Sequence, residues 1–336
     1  MEIEHMFDNI RRPMAASNLR WTLAGDKPAE LFEACRRVAG KGQYRGLTFL
    51  EVEAKSIINR VPYTNFFPFE YTINCYRGCS HACVYCFART SHDYLGLGIG
   101  EDFDRRIVVK VNAAELTRAQ TEPRNWAGHP IAMGTNTDPY QPAEGKYRLT
   151  RGVVEVLTER SNPFSVLTKS PLALRDRHLF AEAAKKAEVT VSFSVGTLDT
   201  EVWRKTEPGT PHPRKRLEAV SRLKELGVPS GVLVAPLLPG ISDSPRQVGE
   251  VMRACRDAGA DFAAPIRLHL RPGVKEHFME WLEGEFPDLV GTYRDLYRNS
   301  SYLPRRTRSR RKSSPARQST RAKARAPAKP RQGRLL

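Results

Sequence analysis

The chain has 336 residues, 40% of them hydrophobic, enough for one large core or two smaller ones. No run approaches the roughly 18–20 apolar residues of a membrane span, and the N-terminus lacks the basic-then-apolar layout of a secretory signal, so a cytosolic, cytoplasmic setting is expected. The net charge of +17 is uneven: residues 305–334 hold 13 Lys/Arg and no Asp/Glu, which leaves +4 for everything else.

Residues 1–60 read as an N-terminal extension, with Trp21, Leu23 and Phe32 available to dock on the body. Residues 29–38 have helical periodicity, and Cys35 within them is expected as a small buried apolar residue. Pro62, Pro68 and the aromatic run between them mark a turn. A strand is predicted over 69–74, and a cysteine-rich loop follows it at once. Residues 106–111 form a β-rich insert, followed by a helix from Ala113.

Further strands are predicted over 130–134, 164–168, 189–195, 231–235 and 262–269. They alternate with helices over 149–160, 172–186, 214–226, 245–258 and 274–283. Apolar strand cores such as Val189-Thr-Val-Ser-Phe193 suit a parallel sheet covered by helices. Six βα units fall short of a closed eight-stranded barrel and predict an open, partial one. Each strand ends in polar or Gly/Pro-rich residues, as a ligand site at that rim requires. The fold class is therefore α/β, a partial (β/α)6 TIM-like barrel over 61–303. Residues 304–336, rich in Arg, Lys, Ser, Ala and Pro, are expected to be a disordered tail.

Four of the six cysteines lie within residues 75–86, a crowding that points to metal rather than to disulfides. Cys79, Cys83 and Cys86 have the spacing C-x3-C-x2-C. Thiolates are soft ligands and suit iron–sulfur clusters or zinc. A cubane cluster normally takes four cysteines, so three would leave one iron open to another ligand. Cys75 keeps a second reading in play, a closed four-Cys site. His81, inside the loop, is expected to be structural.

The stretch Tyr76-Arg-Gly-Cys-Ser-His-Ala-Cys-Val-Tyr-Cys-Phe-Ala-Arg89 resembles the cluster loop of the radical S-adenosylmethionine (SAM) superfamily. The nearest likeness is to the subgroup akin to spore photoproduct lyase, and it extends over residues 55–300. The resemblance implies a partial (β/α)6 barrel and a [4Fe-4S] cluster on Cys79, Cys83 and Cys86. The open iron would chelate the amino and carboxylate groups of SAM. One electron, from a donor such as flavodoxin or ferredoxin, would then cleave SAM to methionine and a 5′-deoxyadenosyl radical that abstracts hydrogen from a substrate.

The resemblance also implies SAM contacts. Tyr85 would lie near the adenine. Thr135, Asn136, Thr137 and Asp138 take the place of a Gly-Gly-Glu-like motif that accepts from the SAM amino group, and Glu144 is a further acidic candidate. Lys169 and Ser170 end the third strand. Ser192 and Ser194 would face the lumen and the ribose, Arg216 would pair with the carboxylate, and Pro236 opens a backbone platform beside the adenine. Spore photoproduct lyase uses a cysteine outside the motif as hydrogen donor, but none stands here between Cys86 and Cys255. Tyr140 is a candidate relay in its place, and the catalytic residues are otherwise unassigned. The basic tail is a candidate for holding DNA or RNA through counterion release. The alternative is a non-catalytic iron–sulfur or zinc protein that binds nucleic acid and uses a closed four-Cys site.

Overall fold

The computed structural model describes residues 35–61 and 69–303, which fall in one unit ending at Leu303. Trp21, Leu23, Phe32, residues 62–68 and the basic tail lie outside the described residues.

Two sheets organise the molecule. In chain order the strands are β1 (Arg36–Ala39), β2 (Thr48–Val52), β3 (Ile58–Arg60), β4 (Tyr71–Ile73), β5 (Tyr76–Arg77), β6 (Arg106–Lys110), β7 (Ile131–Met133), β8 (Phe164–Thr168), β9 (Val189–Ser194), β10 (Val232–Leu237) and β11 (Ala263–Arg267). The larger sheet runs β11-β10-β9-β8-β7-β4-β3. Its six strands from β4 to β11 are parallel, and β3 is added antiparallel to β4. This is the expected open (β/α)6 arrangement. Val191, Phe193, Val232 and Val234 are fully buried, as strands covered on both faces require.

The helices between the strands are built as the sequence suggests. Helix α1 (Leu149–Glu159) precedes β8, α2 (Arg177–Lys186) precedes β9, α3 (Pro213–Glu225) precedes β10, and α4 (Pro245–Asp257) precedes β11. Pro stands in the first turn of α3 and α4, and the Ser244 side chain caps α4 by accepting from Gln247 N. The predicted 172–186 helix begins instead as a 3-10 segment, Pro171–Asp176, capped by Ser170. Strand β10 continues through Pro236, past its predicted end. Proline has no N–H to give a neighbour, and the pairing with β11 shifts register between Val234 and Leu237.

The second sheet runs β1-β2-β6-β5 and corrects the reading of the N-terminal extension. β2 pairs in parallel with β6, Thr48 opposite Arg106, so residues 36–52 and the 106–110 insert form one structure. The predicted 29–38 helix fails over residues 36–38, which are strand. Pairing of Arg37 with Leu50 and Val38 with Phe49 outweighs the local periodicity. Cys35 is partly exposed there rather than buried. Among the described residues no helix is long and apolar enough to cross a membrane.

Candidate metal centre

The cysteine loop leaves the end of β4 and is held from several sides. Gly78 has φ +81°, and a Cβ there would lie 2.9 Å from both the His92 ring and the Phe103 carbonyl. Its own carbonyl accepts from Thr137 Oγ1 at 2.7 Å and Gln141 Nε2 at 2.9 Å. Cys79 N donates to Phe103 O, and Cys86 N to Cys83 O. Arg89, almost fully buried, donates from Nε to Cys83 O at 3.1 Å and from Nη1 to Ile99 O at 2.9 Å, and pairs with Asp104. Arg89 ends the sequence motif, where nothing local marks a role for it. In the fold it fixes the backbone between the second and third cysteines.

All three motif cysteines are free; Cys79 and Cys83 are buried and Cys86 is half-buried. Burial pushes each thiol above its ordinary range. On Cys79 the next causes are Asp138, Cys83 and Cys86, and on Cys83 they are Lys169, which pulls down, then Glu207 and Cys86. The sulfurs therefore share one neighbourhood and resist ionising without a cation. Metal ions would supply that cation and hold them as thiolates. Among the described residues no three Cys, His, Asp or Glu side chains gather as a single metal ion would need. A donor set of three cysteines on one loop fits an iron–sulfur cluster.

Cys75 packs elsewhere. Its thiol is pushed up to about 12 by burial and by Glu144, and it belongs to the main core with Ile73 and Tyr76. Cys83 and Cys86 pack with Leu238 and Leu268, and Cys79 with Ala88 and Phe103.

Beside the thiols lies a buried polar hub around Glu207. Tyr85 donates its hydroxyl to Glu207 Oε1, and Lys169 Nζ donates to the same oxygen at 2.9 Å. Arg216 pairs with Oε2 and donates from Nη1 to Ser194 O at 2.8 Å. Lys169 also donates to Ser194 Oγ at 2.8 Å and sits 5.5 Å from the centre of the Tyr85 ring. Burial alone would raise the Glu207 pKa, but Arg216 and Lys169 hold its carboxyl well below the usual range. Two cations face one carboxylate, so the hub carries a surplus positive charge. Gly209 presses this segment onto the cysteine loop: a Cβ there would lie 2.1 Å from Ser80 O. In the sequence Glu207 stands before Pro208 and Gly209 with nothing local to mark this role.

The fold thus brings Tyr85, Lys169, Ser194 and Arg216 together with the cysteines. Ser192 is buried two residues before Ser194 on β9, and Pro236 lies on β10, its carbonyl 2.9 Å from where a Gly196 Cβ would stand. The 135–138 loop is largely occupied by its own protein. Thr135 Oγ1 accepts from Asn74 at 3.3 Å, Asn136 N donates to Asn74 Oδ1 at 3.1 Å, and Thr137 is turned to Gly78. Asp138 receives Thr168 Oγ1 at 2.6 Å, Lys169 N at 2.7 Å and Tyr140 N at 2.8 Å, with His81 Nδ1 at 3.2 Å. Burial opposes its charge, but His81 and these donors keep the carboxyl below the usual range. Asp138 positions the strand ends.

Glu144 and Tyr140 are drawn into a separate core network. Glu144 receives Tyr76 OH at 2.5 Å, Thr150 N at 2.9 Å and Arg175 Nη2 at 2.7 Å. Tyr140, fully buried, donates to Asp176 Oδ2 at 3.0 Å. Cys255 is likewise sealed in the core, on α4.

The family model described as the radical SAM superfamily matches residues 73–255. An uncharacterized protein of Mycobacterium tuberculosis is 44% identical over 262 residues, 78% of this chain and 77% of the relative. One from Methanocaldococcus jannaschii is 29% identical over 72% of this chain and 85% of its own length. Among solved structures, spore photoproduct lyase complexed with dinucleoside spore photoproduct aligns with TM-score 0.53 at 20% identity. That alignment covers 71% of this chain and 66% of the lyase. A double mutant of the lyase with bound AdoMet and dinucleoside spore photoproduct aligns with TM-score 0.53 at 19% identity, over 81% and 73% of the two chains. These likenesses are likenesses of fold.

Proposed function

We propose, from the premise that this chain belongs to the radical SAM superfamily, that it is an enzyme which cleaves SAM reductively and abstracts hydrogen from a nucleic-acid substrate. Cys79, Cys83 and Cys86 would hold the [4Fe-4S] cluster, with one iron free for SAM. When bound, the cluster supplies the electron that turns SAM into methionine and a 5′-deoxyadenosyl radical. The chain's own residues bind, orient and seclude. The surplus positive charge of Lys169 and Arg216 over Glu207 suits the carboxylate of SAM's methionine part. Glu207 also fixes the Tyr85 ring beside the cysteines. Asp138 and Arg89, tied to backbone on either side, keep the strand ends and the loop in register.

The observation that carries this reading is the surplus cation of the Lys169–Arg216–Glu207 hub, held by the segment that Gly209 presses onto the cysteine loop. A nucleic-acid substrate is supported by the dinucleoside photoproduct bound in the lyase of like fold, and by the basic tail. Residues 61–303 are the proposed catalytic core, and the electron donor would be a flavodoxin or ferredoxin. Anaerobic reconstitution, reduction and SAM addition test the reading. Production of 5′-deoxyadenosine is expected; a reduced cluster that leaves SAM intact would overturn it.

A further inference from the structure

The elements on either side of the Glu207 segment carry exposed charge. Two helices flank this segment: α3, and a seven-residue helix, Thr200–Thr206, that leads into Glu207. Arg204, Arg214 and Lys215 are exposed on them, and His212 lies between. The four share one locality. Burial lowers the His212 pKa first, and then Arg214, Arg216, Lys215 and Arg204 lower it further. Trp203 packs edge-on against the His212 ring at 4.9 Å, which adds an aromatic surface to the basic one.

Stability does not explain this charge. Arg214 and Lys215 occupy the first turn of α3, where the helix dipole disfavours cations, and no acidic residue stands in that turn. Among the described residues neither has an ion-pair partner, and Arg204 has only the exposed Glu201 at 2.9 Å. Exposed pairs of this kind contribute little.

We infer that Arg204, Arg214 and Lys215, with Trp203 and His212, form a docking rim for a nucleic-acid strand at the mouth of the barrel. Phosphates would lie on the cations, and an unstacked base against the aromatic pair. The same short segment that turns Glu207 inward would thereby hold the strand beside the site. The inference deepens the nucleic-acid reading above and rests on it; it is separate from the basic tail.

The test uses the full chain and a fluorescently labelled single-stranded oligonucleotide. Binding is followed by anisotropy over a range of salt concentrations. The double variant Arg214→Glu/Lys215→Glu should weaken binding by about tenfold or more. It should also flatten the log affinity against log salt slope by about 1.4, two phosphate contacts at roughly 0.7 each. Lys185→Glu, on α2, serves as control and should change neither. Should the reversed pair fold poorly, Arg214→Gln/Lys215→Gln must show the same flattening. Unchanged affinity and slope in a folded variant would overturn the rim. So would unchanged oligonucleotide binding with slower reduction by flavodoxin, which would assign the surface to an acidic protein. Production of 5′-deoxyadenosine without substrate should survive in these variants, so failure of the rim is distinguishable from failure of the enzymatic reading.

Discussion

Two buried polar regions lie behind neighbouring strand ends and differ in one respect. In the core network, Glu144 and Asp176 face Arg151 and Arg175, with Tyr76 and Tyr140 hydroxyls filling the remaining acceptor positions. Each arginine meets a carboxylate, Arg151 reaching Glu155 as well at 2.8 Å, and both buried carboxylates are satisfied, which is how a buried polar cluster stabilises a scaffold. At the mouth, Lys169 and Arg216 face Glu207 alone, beside three thiols raised by burial. The first region closes on itself. The second, on the proposed reading, would be completed by a cluster and an anionic ligand, and that contrast separates structure from site more sharply than residue type does, since both are built from Tyr, Glu and Arg.

The contrast can be broken from the mouth first. Cys79→Ala should abolish [4Fe-4S] loading and all 5′-deoxyadenosine formation, read by iron and sulfide analysis and by chromatography. Glu207→Gln leaves Arg216 buried without its carboxylate; breaking such a pair costs about 3–5 kcal/mol. Urea unfolding should show that loss, and the SAM response of the cluster should weaken with it. Gly209→Ala forces a Cβ to within 2.1 Å of Ser80 O unless backbone moves. A cost of about 1–3 kcal/mol is expected, with slower cluster assembly measured by absorbance during reconstitution.

The core network should respond differently. Tyr140→Phe removes one donor from Asp176, which keeps Arg151 and Arg175. A loss of about 1 kcal/mol is expected, with 5′-deoxyadenosine production unchanged. Smallest of all, Cys75→Ala should leave iron content and the SAM response as they are. A loss of iron in that variant would restore the closed four-cysteine reading.

Much of the barrel was legible because its signals are local. The strand Phe164–Thr168 has its predicted bounds and ends at Lys169-Ser170 as expected. The smaller sheet was not legible. Tyr76–Arg77 is too short for periodicity, and Arg36–Ala39 is a mostly exposed edge with no buried face to reveal it. The three cysteines carry their meaning in their spacing, but Glu207 does not. Its partners Tyr85, Lys169 and Arg216 stand 122, 38 and 9 residues away and meet only through the fold. Asp138 shows the converse. It is expected to contact the SAM amino group from the place of a Gly-Gly-Glu-like motif, and in the fold its oxygens also meet Thr168, Lys169, Tyr140 and His81, contacts its sequence position does not reveal.

Electron paramagnetic resonance of the reduced, reconstituted protein tests the open coordination position most directly. With three cysteines holding the cluster as proposed, addition of SAM should shift the g-values, because its amino and carboxylate groups would bind the iron left open. A spectrum identical with and without SAM would contradict the account, for it would mean that the iron has no place for the cofactor.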